Sequence, residues 1–108
     1  MKLKLLNELK NAVAEAPLNF NFGGVQFKFT AKIKVVDEKT LDDLTSKQGA
    51  NDKEIVRDLL IGWAGFVDDG KQVPFATETL EEMLVYPGLT ARLSVECINT
   101  QYRVQEKN

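Results

Sequence analysis

The chain contains no histidine. That absence removes the usual catalytic triads, the side chain that titrates near neutral pH, and the commonest ligand of transition metals. A single cysteine, Cys97, excludes an internal disulfide and gives an oxidising compartment no support. No apolar run approaches the roughly 20 residues that a membrane-spanning helix needs. The opening stretch MKLKLLNELKNAVAEAP is leucine-rich, but Asn7, Glu8 and Lys10 interrupt any signal-peptide core. A formal net charge of −2 gives no net attraction to nucleic acid or to an anionic membrane. An intracellular protein is the expectation.

What is present suits one folded unit. With 108 residues, 44% hydrophobic and 28% charged, the chain has material for a single modest core and is too apolar for global disorder. Leu6, Leu9 and Val13 share a helical face, with Leu5 and Ala12 beside it, so an amphipathic helix is expected over 2–15, ended by Pro17. The clearest β signal runs from Leu18 to Val36, where Gly23-Gly24 separates LNFNF from VQFKFTAKIKV as a two-residue hairpin turn. Counting outward pairs Phe22 with Val25, Phe20 with Phe27, and Leu18 with Phe29, all on one apolar face. Asn19, Asn21, Gln26, Lys28, Thr30, Lys32 and Lys34 take the other face. If Pro17 stops the pairing, the distal half of the second strand needs another strand or a partner's edge.

The remainder reads as short helices. Asp37 to Lys47 is expected to be helical, with Thr40 and Asp43 at capping-box spacing and Leu41 and Leu44 facing inward. Residues 46–52 form a polar loop, and Asn51 caps the next helix with Glu54 as its box partner. Ile55, Val56, Leu59, Leu60 and Trp63 form a wide apolar stripe on that helix. Gly62 and Gly65 beside the tryptophan mark either a close backbone approach or the helix end. Asp69-Gly70 then turns the chain, and Pro74 holds Val73 extended. Thr77 caps a further helix, which Pro87-Gly88 stops. Residues 89–104 fit either helical spacing or a strand alternation; length favours helix, and the last four residues are expected to fray.

The ordered set Gly62-Trp63, Asp68-Asp69-Gly70, Val73-Pro74-Phe75, Leu80, Leu84 and Tyr86-Pro87-Gly88 resembles the phage tail assembly chaperones, small proteins of tailed phages or prophages. The likeness extends from about residue 18 to 104 and is most specific in this middle third. The N-terminal segment departs from it, since the family usually has a short extended lead there. The resemblance implies an α+β fold in which an N-terminal antiparallel β-hairpin, at about 18–36, packs against four to five short helices, at about 37–104. It also implies a non-enzymatic protein that holds the tape measure protein in the cytoplasm of a bacterial host and is absent from the mature virion. The alternative is a structural subunit of the phage tail or connector that stays in the virion, for which an unpaired strand end could serve donor-strand assembly.

Residues that could carry chemistry do not assemble. Cys97 lacks a histidine base and falls on an apolar face, as a structural thiol does. The loop at Asp68-Asp69-Gly70 lacks the alternating oxygen ligands of a calcium loop. Asp42-Asp43 and Glu81-Glu82 are adjacent pairs that diverge on a helix, and Gly23-Gly24 opens a strand, unlike a phosphate loop. No catalytic residue, metal or cofactor is expected. Binding to a partner protein, or self-association, has two sets of candidates. Trp63, Phe66 and Phe75 could anchor an interface, or serve the protein's own core. Lys28, Lys32 and Lys34 could dock an acidic partner, or guard a sheet against aggregation. The hairpin has no arginine and its aromatics face away from its lysines, which argues against nucleic acid.

Overall fold

A computed structural model describes residues 3–46 and 51–103 of the protein. The elements follow as α1 (Lys4–Leu9), β1 (Val13–Phe22), β2 (Val25–Lys34), α2 (Glu38–Ser46), α3 (Asp52–Leu59), β3 (Leu60–Ala64), β4 (Val67–Asp68), β5 (Lys71–Gln72), α4 (Thr77–Met83) and α5 (Pro87–Thr100). Strands β1, β2 and β3 form an antiparallel sheet in that order, and β4–β5 is a separate small hairpin. The fold is α+β, with an N-terminal hairpin and five helices among the described residues. Helices α3 and α5 pack on each other and against one face of the sheet.

The hairpin has the expected register: Phe22 opposes Val25, Phe20 opposes Phe27, and Leu18 opposes Phe29. Gly23 and Gly24 have φ of 60° and 82°, the type I′ turn that matches the twist of the flanking strands. Pairing does not stop at Pro17. It continues to Val13 opposite Lys34, and the expected long N-terminal helix shrinks to the six residues of α1. The reason lies in AVAEAP: Ala14 and Ala16 turn inward while Val13, Glu15 and Pro17 stay exposed, a period of two. Pro17 also biases Ala16 toward extended backbone. It sits on the edge strand, in a pair that counts from the turn as non-hydrogen-bonded, so its missing N–H is not needed there.

The stripe from Ile55 to Trp63 is not one helix. Helix α3 ends at Leu59, and Leu60–Ala64 pairs with β2 as β3. Ala31 opposes Trp63 and Lys32 opposes Gly62, but Ile33 opposes Leu60, leaving Ile61 as the extra residue of a β-bulge. In a regular strand, residues three apart lie on opposite faces. The bulge brings Leu60 and Trp63 to the same buried face and leaves Ile61 exposed. Strand β2 is therefore paired on both sides at its distal half, and no unpaired strand end remains there for donor-strand assembly.

Other boundaries differ in their caps. Asn51 caps α3 as expected, its Oδ1 accepting from the Glu54 N–H at 2.9 Å. Helix α2 is capped by Asp37, whose Oδ1 accepts from the Thr40 N–H at 2.8 Å, and not by Thr40. Hydrogen bonding from the Thr40 hydroxyl first, and from its backbone N–H second, holds the Asp37 carboxyl below its ordinary pKa. Thr77 is the first helical residue of α4, and Ala76 precedes it without a side-chain cap. Helix α4 ends at Met83; Pro87, expected as a stop, is the first residue of α5, where proline lacks nothing the helix needs. Gly88 lets the first turn of α5 approach the hairpin, since a Cβ there would fall 2.5 Å from the Phe22 ring. Most of the polar loop at 46–52 and the C-terminal residues from 104 lie outside the described residues.

At the far end of α5, Gln101 joins the sheet to the helix layer. Its Oε1 accepts from the Val36 N–H at 3.0 Å, and its Nε2 donates to the Lys34 and Cys97 carbonyls at 2.9 and 3.3 Å.

Candidate functional site

The aromatic candidates from the sequence come together, and they do so inside the molecule. Trp63 is 7% exposed. Its ring meets Phe29, Phe66 and Phe75 at centroid separations of 5.8, 5.0 and 4.7 Å. Its Nε1–H donates to the Val73 carbonyl at 2.8 Å. The indole thus satisfies its one donor and pins the Val73-Pro74-Phe75 segment to the sheet. Phe66 stacks on Phe29 at 4.7 Å and 5°. Phe66 and Phe75 are half-buried, so of the three the tryptophan is the most committed to the core.

Lys28, Lys32 and Lys34 are exposed on the opposite face of the sheet. The two sets of candidates cannot form one contiguous surface, because a three-stranded sheet separates them.

An open groove of about 580 Å³ lies at the turn end of the hairpin. Phe22, Val25 and Phe27 form one wall, Phe66, Val67 and Val73 a second, and Met83, Tyr86 and Leu89 a third. Three of these side chains are well exposed: Val25 at 57%, Val67 at 52% and Tyr86 at 56%. The fold positions each for a plain reason. Val25 directly follows the Gly-Gly turn, at the end of the sheet. Val67 stands on the two-residue strand β4, held by a turn in which Asp69 and Gly70 both have positive φ. Tyr86 precedes Pro87 at the α4–α5 junction and meets the edge of Phe22 at 6.3 Å. Among the described residues, the charged groups lining the groove are Asp68 and Glu82, both acidic.

One end of α4 is fixed by charge. Arg57 on α3 makes a two-pronged contact with Glu81, Nε to Oε2 at 2.8 Å and Nη2 to Oε1 at 2.7 Å. These hydrogen bonds hold the Glu81 carboxyl below its ordinary range and raise Arg57 above its own. The sign follows: the contribution is full above the carboxyl's ordinary pKa and fades as pH falls through the lowered one.

Cys97 is fully buried, and burial, with Glu96 adding to it, pushes its thiol up to about 12. A thiol held neutral in this way is a poor nucleophile. Among the described residues, no group of three acidic or cysteine side chains is arranged to hold a metal ion, and no helix is long and apolar enough to cross a membrane.

The groove residues Val25, Val67, Met83 and Tyr86 were not picked out by the sequence as a binding site. Their one sequence signal is the apolar Val25 beside the turn. Comparison with protein-family models, curated proteins and solved structures finds no match to this chain.

Proposed function

We propose that the protein is a non-enzymatic phage tail assembly chaperone whose apolar groove covers helical segments of a tape measure protein during tail assembly. The observation that carries this reading is where the resemblance falls in the fold. The stretch from Gly62 to Gly88 supplies Phe66, Val67, Val73, Met83 and Tyr86 to the groove, and the hairpin tip supplies the rest. A long helical partner with apolar stripes needs a shallow, open, apolar receptor rather than a closed pocket. Weak sites of this kind become effective when many copies line one long chain.

Co-expression tests it. The otherwise insoluble tape measure protein stays in solution with the wild-type chain and precipitates with Val25→Lys, a change at an exposed side chain that leaves the fold intact. Purified particles contain no stoichiometric amount of the protein by mass spectrometry. Recovery in ring-like copy number overturns the chaperone reading and establishes a structural subunit of the tail or connector. Binding through the groove weakens slightly with moderate salt, whereas binding through Lys28, Lys32 and Lys34 would weaken steeply.

A further inference from the structure

Helix α1 buries nothing. Its residues Leu5, Leu6 and Leu9, with Leu3 just before it, lie between 49% and 69% exposed. Their spacings of three and four place them on one side of the helix, a stripe with no cover among the described residues. Lys4 and Lys10 flank the stripe, with Glu8 the one acidic residue between them. The groove has the complementary character: apolar walls with exposed Val25, Val67 and Tyr86, and a rim carrying Asp68 and Glu82. A small apolar helix with basic flanks and an apolar groove with an acidic rim are complementary in shape and charge.

The two cannot meet within one chain. The groove lies at the Gly23-Gly24 end of the hairpin, whereas α1 enters the sheet at Val13, opposite Lys34, at the other end. Ten residues of strand separate them, roughly 30 Å at the rise of an antiparallel strand. From Val13 back to Leu5, one helical turn plus a fully stretched link spans at most about 20 Å.

We propose that α1 of one copy docks in the groove of a second copy, so that the protein assembles head to tail. The contact pairs two different surfaces at opposite ends of the molecule, so a bound copy still presents one free helix and one free groove. Growth then continues until the chain of copies closes into a ring or is exhausted. A helix of six residues makes a small interface, which fits reversible association in the micromolar to millimolar range. The proposal does not rest on what else the groove binds, although a partner in the groove would compete with it.

Sedimentation velocity on the full chain, with no residues added at its N-terminus, tests this through two variants at exposed positions. Leu6→Asp with Leu9→Asp disables the helix, and Val25→Lys disables the groove and sets a lysine against Lys4 and Lys10. Circular dichroism and the urea midpoint verify that both fold. The wild type shows a mass that rises between about 10 µM and 1 mM. Each variant alone stays monomeric over that range. Their equimolar mixture forms a discrete dimer of one copy of each and nothing larger, since the mixture retains one working helix and one working groove. A wild type that stays monomeric to 1 mM overturns the proposal, as does a variant that assembles alone or a mixture that stays monomeric. None of these outcomes involves the tape measure protein, so they fail or hold separately from the chaperone reading.

Discussion

The hairpin and the segment from Asn51 to Ala64 both bring a row of apolar side chains to the same core, by opposite routes. In the hairpin, Leu18, Phe20, Phe29, Ala31 and Ile33 follow the pleat strictly, and the alternate residues are polar. In the second segment, Ile55, Val56, Leu59, Leu60 and Trp63 keep an unbroken helical spacing while the backbone changes from helix to strand halfway along. The bulge at Ile61 makes this possible, since an extra residue puts positions three apart on one face of a strand. A spacing of three or four therefore marks a common face without fixing which backbone produces it.

Deleting Ile61 breaks the contrast most directly. The deletion leaves Leu60 and Trp63 two apart, so a regular β3 keeps both on the buried face opposite Ile33 and Ala31, and we expect the variant to fold with a loss of no more than about 3 kcal/mol. Loss of the cooperative urea transition would show that the extra residue does more than set the face of these side chains. Trp63→Ala keeps the bulge and removes the side chain it serves; a loss of roughly 3–5 kcal/mol is expected, with Val73 losing its hydrogen bond. A variant that stays as stable as wild type but no longer binds its partner would make Trp63 an interface anchor.

The regular region is tested at its turn. Gly24 has a φ of 82° with open space where a side chain would go, so Gly24→Val meets backbone strain alone and should cost about 1–2 kcal/mol in chemical denaturation. The smallest effect at neutral pH concerns Cys97 on α5, which lies in the one hydrophobic core both regions share. Folding keeps this thiol protonated up to about 12, whereas the unfolded chain releases the proton at the ordinary thiol value. Stability therefore falls as pH rises between those two values, by about 1.4 kcal/mol per unit from this group. Cys97→Ala should flatten the alkaline slope of the unfolding free energy; identical slopes would mean the thiol is not shielded.

The parts of the fold legible in the sequence are those where one local rule acts alone. Alternation and a Gly-Gly pair define β2 and the hairpin register, and the Asn51 cap and Asp69-Gly70 turn follow from side-chain chemistry within three residues. The first half of β1 was hidden because alanines alternate too weakly to outweigh a leucine-rich helical spacing before them. Strand β3 was hidden because a bulge imitates a helix. The candidate site was harder to see for a different reason. Its walls come from the hairpin tip, the β4–β5 turn, α4 and α5, and Phe22, Phe27 and Met83 follow core patterns in each. Only their meeting at one end of the hairpin sets them beside the exposed Val25, Val67 and Tyr86. The rings of Trp63, Phe66 and Phe75, candidates from the sequence, do pack together, but the sheet sets them on the opposite side from Lys28, Lys32 and Lys34.

The Gln101 amide that joins the sheet to α5 has a consequence for the order of events during synthesis. Both strands of the hairpin have left the ribosome once Lys34 has emerged, yet the helix that packs on β1 and the amide that holds Val36 come at the end of the described chain. At roughly 5–20 residues per second, the apolar side of the hairpin waits several seconds for its cover. During that interval Leu18, Phe20, Phe29 and Ile33 have no shelter from other nascent chains, and the lysines on the reverse side supply the repulsion that keeps neighbours apart. The lysine row then acts earliest in the life of the protein, before any groove exists.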